Sequence, residues 1–144
     1  MTPRWTDALL RLTLHGGAVY YLQHRSLTSP EPHYFIVLNV DPSGDAFLVM
    51  GIASSKVASV RDRSRNLPLE TLVELSPADY PEFTRQSIVD CNHCLRVTRH
   101  ELLEKLQAGL AAEKTSLSAE MVGRLRQGVL ASPVMEAEIK DLLR

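Results

Sequence analysis

Gly17-Ala18-Val19-Tyr20-Tyr21-Leu22, His33-Tyr34-Phe35-Ile36-Val37-Leu38-Asn39 and Ala46-Phe47-Leu48-Val49-Met50-Gly51-Ile52-Ala53 decide the fold of this chain. Each run is rich in aromatic and β-branched residues and is bounded by Gly, Pro or polar residues, the signature of a strand. The polar loop His24 to Pro32 separates the first two. The turn Asp41-Pro42-Ser43-Gly44-Asp45 separates the second from the third. Three such strands in succession form a meander, and a short meander tends to curl into a small barrel. Phe35, Val37, Val49, Ile52, Val73 and Ile88 are its expected core contributors.

Outward from this stretch the chain divides in two. Residues 1–15 form a lead helix, with Thr6 as cap and Leu9, Leu10, Leu12 and Leu14 facing the body. The β-rich part spans 16–98. It continues through a polar stretch, Ser54 to Pro68, a fourth strand from Leu69 to Leu75, a turn-rich connector from Ser76 to Pro81, and a fifth strand from Ser87 to Val97. The helical part spans 98–144. Thr98-Arg99-His100-Glu101 is a capping box, followed by Leu102, Leu103, Leu106 and Leu110 at helical spacing. Gly109 suits the stop. A second helix starts near Ser118, with Met121, Val122, Leu125, Val129 and Leu130 on its apolar face. Ser132-Pro133 reads as the start of a third. No Pro/Ser/Gly linker separates the two parts, so 1–144 is expected to be one α+β domain.

At 144 residues the chain is long enough to bury a core without disulfides or metal. Its charged fraction of 23% and hydrophobic fraction of 44% are ordinary for a globular protein. The formal net charge is -1, so any nucleic-acid site has to be a local patch. No apolar run reaches the roughly 18 residues of a membrane span. The N-terminus lacks the apolar core of a signal peptide. With two cysteines only, this points to a reducing, cytoplasmic setting.

The order of these patterns resembles the MazF/PemK (Kid-like) toxin family. The resemblance runs over about residues 16–131. It is carried by the opening strand Gly17-Ala18-Val19-Tyr20, the apolar strand Phe35 to Leu38, and Gly51-Ile52-Ala53-Ser54-Ser55 at the end of the third strand. Leu72-Val73-Glu74-Leu75, the Phe83-x-x-x-Ser87-Ile88-Val89 segment and the helix Met121 to Leu130 complete it. It implies an SH3-like antiparallel β-barrel with a short N-terminal helix and C-terminal helices. It also implies a toxin of a toxin–antitoxin system: an endoribonuclease cleaving single-stranded RNA without metal or other cofactor. A two-fold homodimer and a small antitoxin partner follow from the same resemblance. The chain departs from the family where an Arg, usually followed by Pro, opens the second strand. His33-Tyr34 stands there instead. The family's catalytic Thr or Ser falls at Ala53 or Ser54, depending on one residue of register.

His33 is accordingly the expected acid/base, since imidazole moves protons near neutral pH. The alternative is a solvent-facing histidine before a strand. Ser54 and Ser55 are expected phosphate contacts in the catalytic set, or else turn formers. Lys56, Arg61, Arg63 and Arg65 form the one basic cluster. In an extended loop the three arginines project to one side and track an RNA backbone. The alternative is a solvated loop. His24 and Arg25 would extend the same RNA-binding surface. Cys91-Asn92-His93-Cys94 lacks a second ligand pair, and in a regular strand its cysteines face opposite ways, so structural thiols and no metal site are expected. The competing function is a non-catalytic SH3-like barrel that binds a protein or nucleic acid, favoured by the missing Arg-Pro.

Overall fold

The structure, a computed structural model, describes residues 4–24 and 31–144. In chain order the elements are α1 (Asp7–Thr13), β1 (Val19–Leu22), β2 (His33–Val37), β3 (Leu48–Ser54), α2 (Val57–Arg63), a 3-10 turn (Leu69–Thr71) and β4 (Leu72–Leu75). Then come β5 (Ser87–Asp90), β6 (Leu95–Val97), α3 (Arg99–Gln107), β7 (Ala111–Lys114), α4 (Ala119–Ala131) and α5 (Ala137–Leu142). The fold is α+β, built on one seven-stranded antiparallel sheet ordered β4-β5-β3-β2-β1-β7, with β6 also on β3.

The sheet does not close into the expected barrel. β4 and β7 stand at opposite ends of the strand order and do not pair. Closure is replaced by helices on both faces. On one face Val19, Ile36, Val49, Val73 and Val89 pack beneath Met121, Val122, Leu125 and Val129 of α4 and Ile139 of α5. On the other, Tyr20, Phe35, Val37 and Leu48 pack beneath Leu10 and Leu14 and beneath Leu102 and Leu106 of α3. This two-sided burial follows from β2 and β3 reading as continuous apolar runs instead of alternating ones. It also uses up the apolar faces of α3 and α4 within the chain.

The β2–β3 hairpin is pinned by Asn39, which is fully buried. Its amide donates to Asp45 Oδ2 at 2.9 Å and to the Phe47 carbonyl at 3.0 Å, and its carbonyl accepts from Val49 N at 2.7 Å. Gly17 enters β1 at φ +98°, where a Cβ would meet Val122 Cγ2 at 2.9 Å and the Leu117 carbonyl at 3.0 Å. Only glycine fits there. Thr6, Thr98 with Glu101, and Ser118 cap α1, α3 and α4.

Several expectations are corrected. The polar stretch after β3 is helical over α2, because Val57 and Val60 sit three residues apart and pack on Leu72 and Ile88. The fourth strand begins only at Leu72, after the 3-10 turn. Ser87 to Val97 is not one strand. Between the pairs Ala53↔Val89 and Met50↔Leu95, three steps along β3 match six along its partner. The surplus residues leave the ladder as an excursion around Asp90 to Cys94. β7 was not anticipated: Ala-Ala-Glu-Lys carries no strand pattern and exists through its pairing with β1. Ser132 starts no helix. Its hydroxyl donates to Asn92 Oδ1 at 2.6 Å, and α5 begins only at Ala137, beside Glu136 and Glu138, which pair with Arg96. Among the described residues, no helix is long and apolar enough to cross a membrane.

Candidate functional site

A cleft of about 510 Å³ opens where β2, β3 and β5 end together beside α2. His33 opens β2, and Ser54 closes β3. On the opposite flank of β3, β5 ends in Asp90 and the excursion after it brings His93, and α2 contributes Arg63. His33, Ser54, Ser55, Lys56 and Arg63 therefore share one cleft.

The ring of His33 is oriented. Its Nδ1 lies 2.9 Å from the Glu31 carbonyl, which can only accept, so the neutral ring carries its proton on Nδ1 and leaves the Nε2 lone pair free to take one. Ser54 Oγ accepts the Lys56 N–H at 3.1 Å. That is the turn-forming role, and it leaves the hydroxyl proton available to an acceptor in the cleft. Ser55 and Lys56 are exposed at its rim.

The arginine strip is corrected. A helix does not alternate its side chains as an extended loop does. Only Arg63 reaches the cleft. Arg61 donates to Glu74 Oε2 at 2.7 Å, and Arg65 turns back to Asp62 at 3.3 Å. Arg25 lies outside the described residues, and His24 does not line the cleft.

Three further residues complete the site: Arg85 and Asp90, which the sequence reading does not single out, and His93, which it weighs only within the metal-like Cys91-Asn92-His93-Cys94 motif. Asp90 is 7% exposed. Its Oδ2 accepts from Ser64 Oγ at 2.6 Å, and its Oδ1 from Asn92 N at 3.0 Å and Asn92 Nδ2 at 2.8 Å. Behind it, Asn92 also donates to Thr71 Oγ1 at 2.8 Å and accepts from Ser132, so the buried network is satisfied throughout. Towards the cleft, Oδ2 faces Arg63 Nη2 at 3.8 Å and His93 Nε2 at 3.9 Å. A fixed anion thus draws one guanidinium and one imidazole to the same rim. The sequence signal for this was the four-residue spread of polar groups at Asp90 to His93, within an otherwise apolar segment.

Lys56, Arg63 and Arg85 face Glu31, Glu82 and Asp90 around the opening, so the cleft has no uniform field. Glu82 and Asp90 already accept hydrogen bonds from the protein, through Thr115 N and through Ser64 and Asn92. Of the rim cations, Arg63 is turned to Asp90, which leaves Lys56 and Arg85 to meet a ligand first. Cys91 and Cys94 are free thiols behind the excursion. Burial and then the Asp90 charge push the Cys94 thiol up to about 12. Burial, with Cys94 and Asp90 adding to it, pushes Cys91 further. Among the described residues, no group of three or more His, Cys, Asp and Glu is arranged to hold a metal ion.

No family model matches this chain, and no curated protein matches it.

Proposed function

We propose that the cleft cleaves single-stranded RNA, and that the chain is the toxin of a toxin–antitoxin pair related to the MazF/PemK family on an open SH3-like sheet. The observation that carries the proposal is the convergence of two imidazoles, His33 and His93, with Ser54 and three cations in one cleft. RNA supplies its own nucleophile. A base removes the 2′-hydroxyl proton, the oxygen attacks the adjacent phosphorus, and an acid protonates the departing 5′-oxygen. The products are a 2′,3′-cyclic phosphate and a 5′-hydroxyl. No metal is needed to make that nucleophile. His33, with Nε2 unprotonated, takes the role of base. His93, the second imidazole of the cleft, takes the role of acid. Arg63, Arg85 and Lys56 hold the phosphate and the charge that grows on it, in place of the missing family Arg. Ser54 donates to a phosphate oxygen.

A small antitoxin would neutralise the protein by covering this opening, in a reducing cytoplasm where Cys91 and Cys94 stay thiols. The proposed homodimer cannot use the buried faces of α3 and α4. The groove lined by Leu69, Leu72 and Ala131, with Leu69 exposed, is one surface open to it. One observation favours a second reading, a non-catalytic module that binds a protein: the rim's cations are matched by its carboxylates.

Incubating the purified protein with a long unstructured RNA, with and without EDTA, separates the two. Cleavage in both arms, leaving cyclic phosphate ends, supports the ribonuclease. Intact RNA in both arms gives the cleft to the protein-binding reading.

A further inference from the structure

We propose that Tyr21, braced by Tyr34, is a stacking platform for one base of the RNA, a specificity subsite beside the reacting phosphate; this rests on the cleft being an RNA site. Tyr21 and Tyr34 are cross-strand partners in the β1–β2 ladder, one position from His33. Both are half-buried and both line the cleft. Their ring centroids lie 4.7 Å apart, tilted by 36°.

The platform is built in advance. Phe83 meets Tyr34 edge-on at 5.2 Å and 74°, and Tyr80 does so at 6.1 Å and 79°. Tyr80 is itself tied down, donating from its hydroxyl to the Thr115 carbonyl at 2.6 Å, and Tyr34 donates to the Glu82 carbonyl at 3.4 Å. Deep in the cluster these rings are ordinary core. Tyr21 is where the cluster leaves the core and enters the cleft. A ring held in place loses little freedom when a base settles on it, and base stacking tolerates any sequence because every base has a π-face.

Charge selects a nucleotide over a neutral aromatic ligand. The Lys114 ammonium, on the neighbouring strand β7, lies over the Tyr21 ring, 5.8 Å from its centroid. A base taking that face displaces the flexible lysine to the ring's edge, where its charge meets a phosphate. A base on Tyr21 would then have one phosphate directed towards Lys114 and the next towards His33.

The test uses single-stranded oligonucleotides made wholly of 2′-fluoro nucleotides, which bind but cannot supply the attacking hydroxyl. Each carries 2-aminopurine at one position, and its fluorescence is quenched by stacking on an aromatic ring. The expected result is quenching at one position at saturation, retained in Tyr21→Phe. In Tyr21→Leu, which keeps the apolar contact with Tyr34, the quenching should be lost and affinity should fall roughly 10-fold, within the range of one stacked base. Lys114→Ala should weaken binding while leaving the quenching at saturation. Equal quenching and affinity in Tyr21→Leu and parent would overturn the subsite. So would absence of oligonucleotide binding by the parent. Cleavage of ordinary RNA is scored separately: a parent that shows Tyr21-dependent quenching but leaves RNA intact keeps the subsite and loses the reaction.

Discussion

Asp90 is the residue whose replacement says most. In Asp90→Ala three donors lose their acceptor: the Ser64 hydroxyl, the Asn92 backbone N–H and one Asn92 side-chain hydrogen. Stranding each costs about 1 kcal/mol at the low end, so the loss is about 3 kcal/mol, part of it offset because the buried carboxylate no longer has to be desolvated. For a chain of this size that corresponds to a fall in Tm of up to roughly 9 °C. Asp90→Asn differs. Its carbonyl still accepts from Asn92, and its NH2 faces Ser64 Oγ, which can turn to accept, so the loss is about 1 kcal/mol or less. What Asn cannot keep is the negative charge facing Arg63 and His93. The expected pattern is a large thermal shift for Ala, a small one for Asn, and loss of RNA cleavage in both. Differential scanning fluorimetry and a cleavage assay read the two quantities on the same samples. Asp90→Ala melting with the parent would refute the network's structural role. Asp90→Asn cleaving at the parental rate would refute its role in holding the cleft's charges.

His33→Ala should cut RNA cleavage by about 10²–10⁴-fold with an unchanged far-UV spectrum, since His33 sits at the open end of β2; parental cleavage would remove His33 from the reaction. Arg63→Ala and Arg85→Ala should each weaken RNA binding and flatten its salt dependence. Arg65→Ala should do neither, and Arg61→Ala should act only on stability through Glu74, all readable by fluorescence anisotropy at several salt concentrations. Gly128→Ala should destabilise by about 1–3 kcal/mol, because its Cβ would meet Cys91 Sγ at 2.7 Å and the Glu70 carbonyl at 3.0 Å; urea unfolding would show it. Stability should fall as pH rises above about 9: Cys91 and Cys94 have folded pKa values raised from 9.0, and Tyr20 and Tyr80 from 10.0, chiefly by burial. The unfolded chain releases those protons first, so the contribution is whole below pH 9 and is lost towards and beyond pH 12; urea midpoints at pH 8 and pH 10.5 would check the sign.

What the sequence determined by itself is the part of the fold written in local patterns. Gly17 to Ala53 specified a meander because long apolar runs have nowhere stable to lie except between two layers. Thr98 with Glu101, and Ser118, marked two helix starts because capping satisfies nearby N–H groups and depends on no distant partner. Ser54 and Ser55 stood out from their place at a strand end, Lys56 and Arg63 from a run of basic residues, and His33 from its position in the family resemblance; the structure brings all five to one cleft. Tertiary structure alone decided the rest. β7 is a strand only because β1 offers it hydrogen-bonding partners. The sheet stays open because α1 and α3 on one face and α4 and α5 on the other cover what closure would have buried. α2 turns Arg61 and Arg65 away from the cleft once Val57 and Val60 seek Leu72 and Ile88. His93 reaches the cleft because its segment leaves the ladder with β3 just after Asp90 ends β5, and the residues that hold Asp90 there, Ser64 and Asn92 with Ser132 behind, are brought together from distant parts of the chain. Hydrogen bonds across such separations leave no periodic trace in a sequence, since each donor is chosen by a partner that only the folded chain brings within reach.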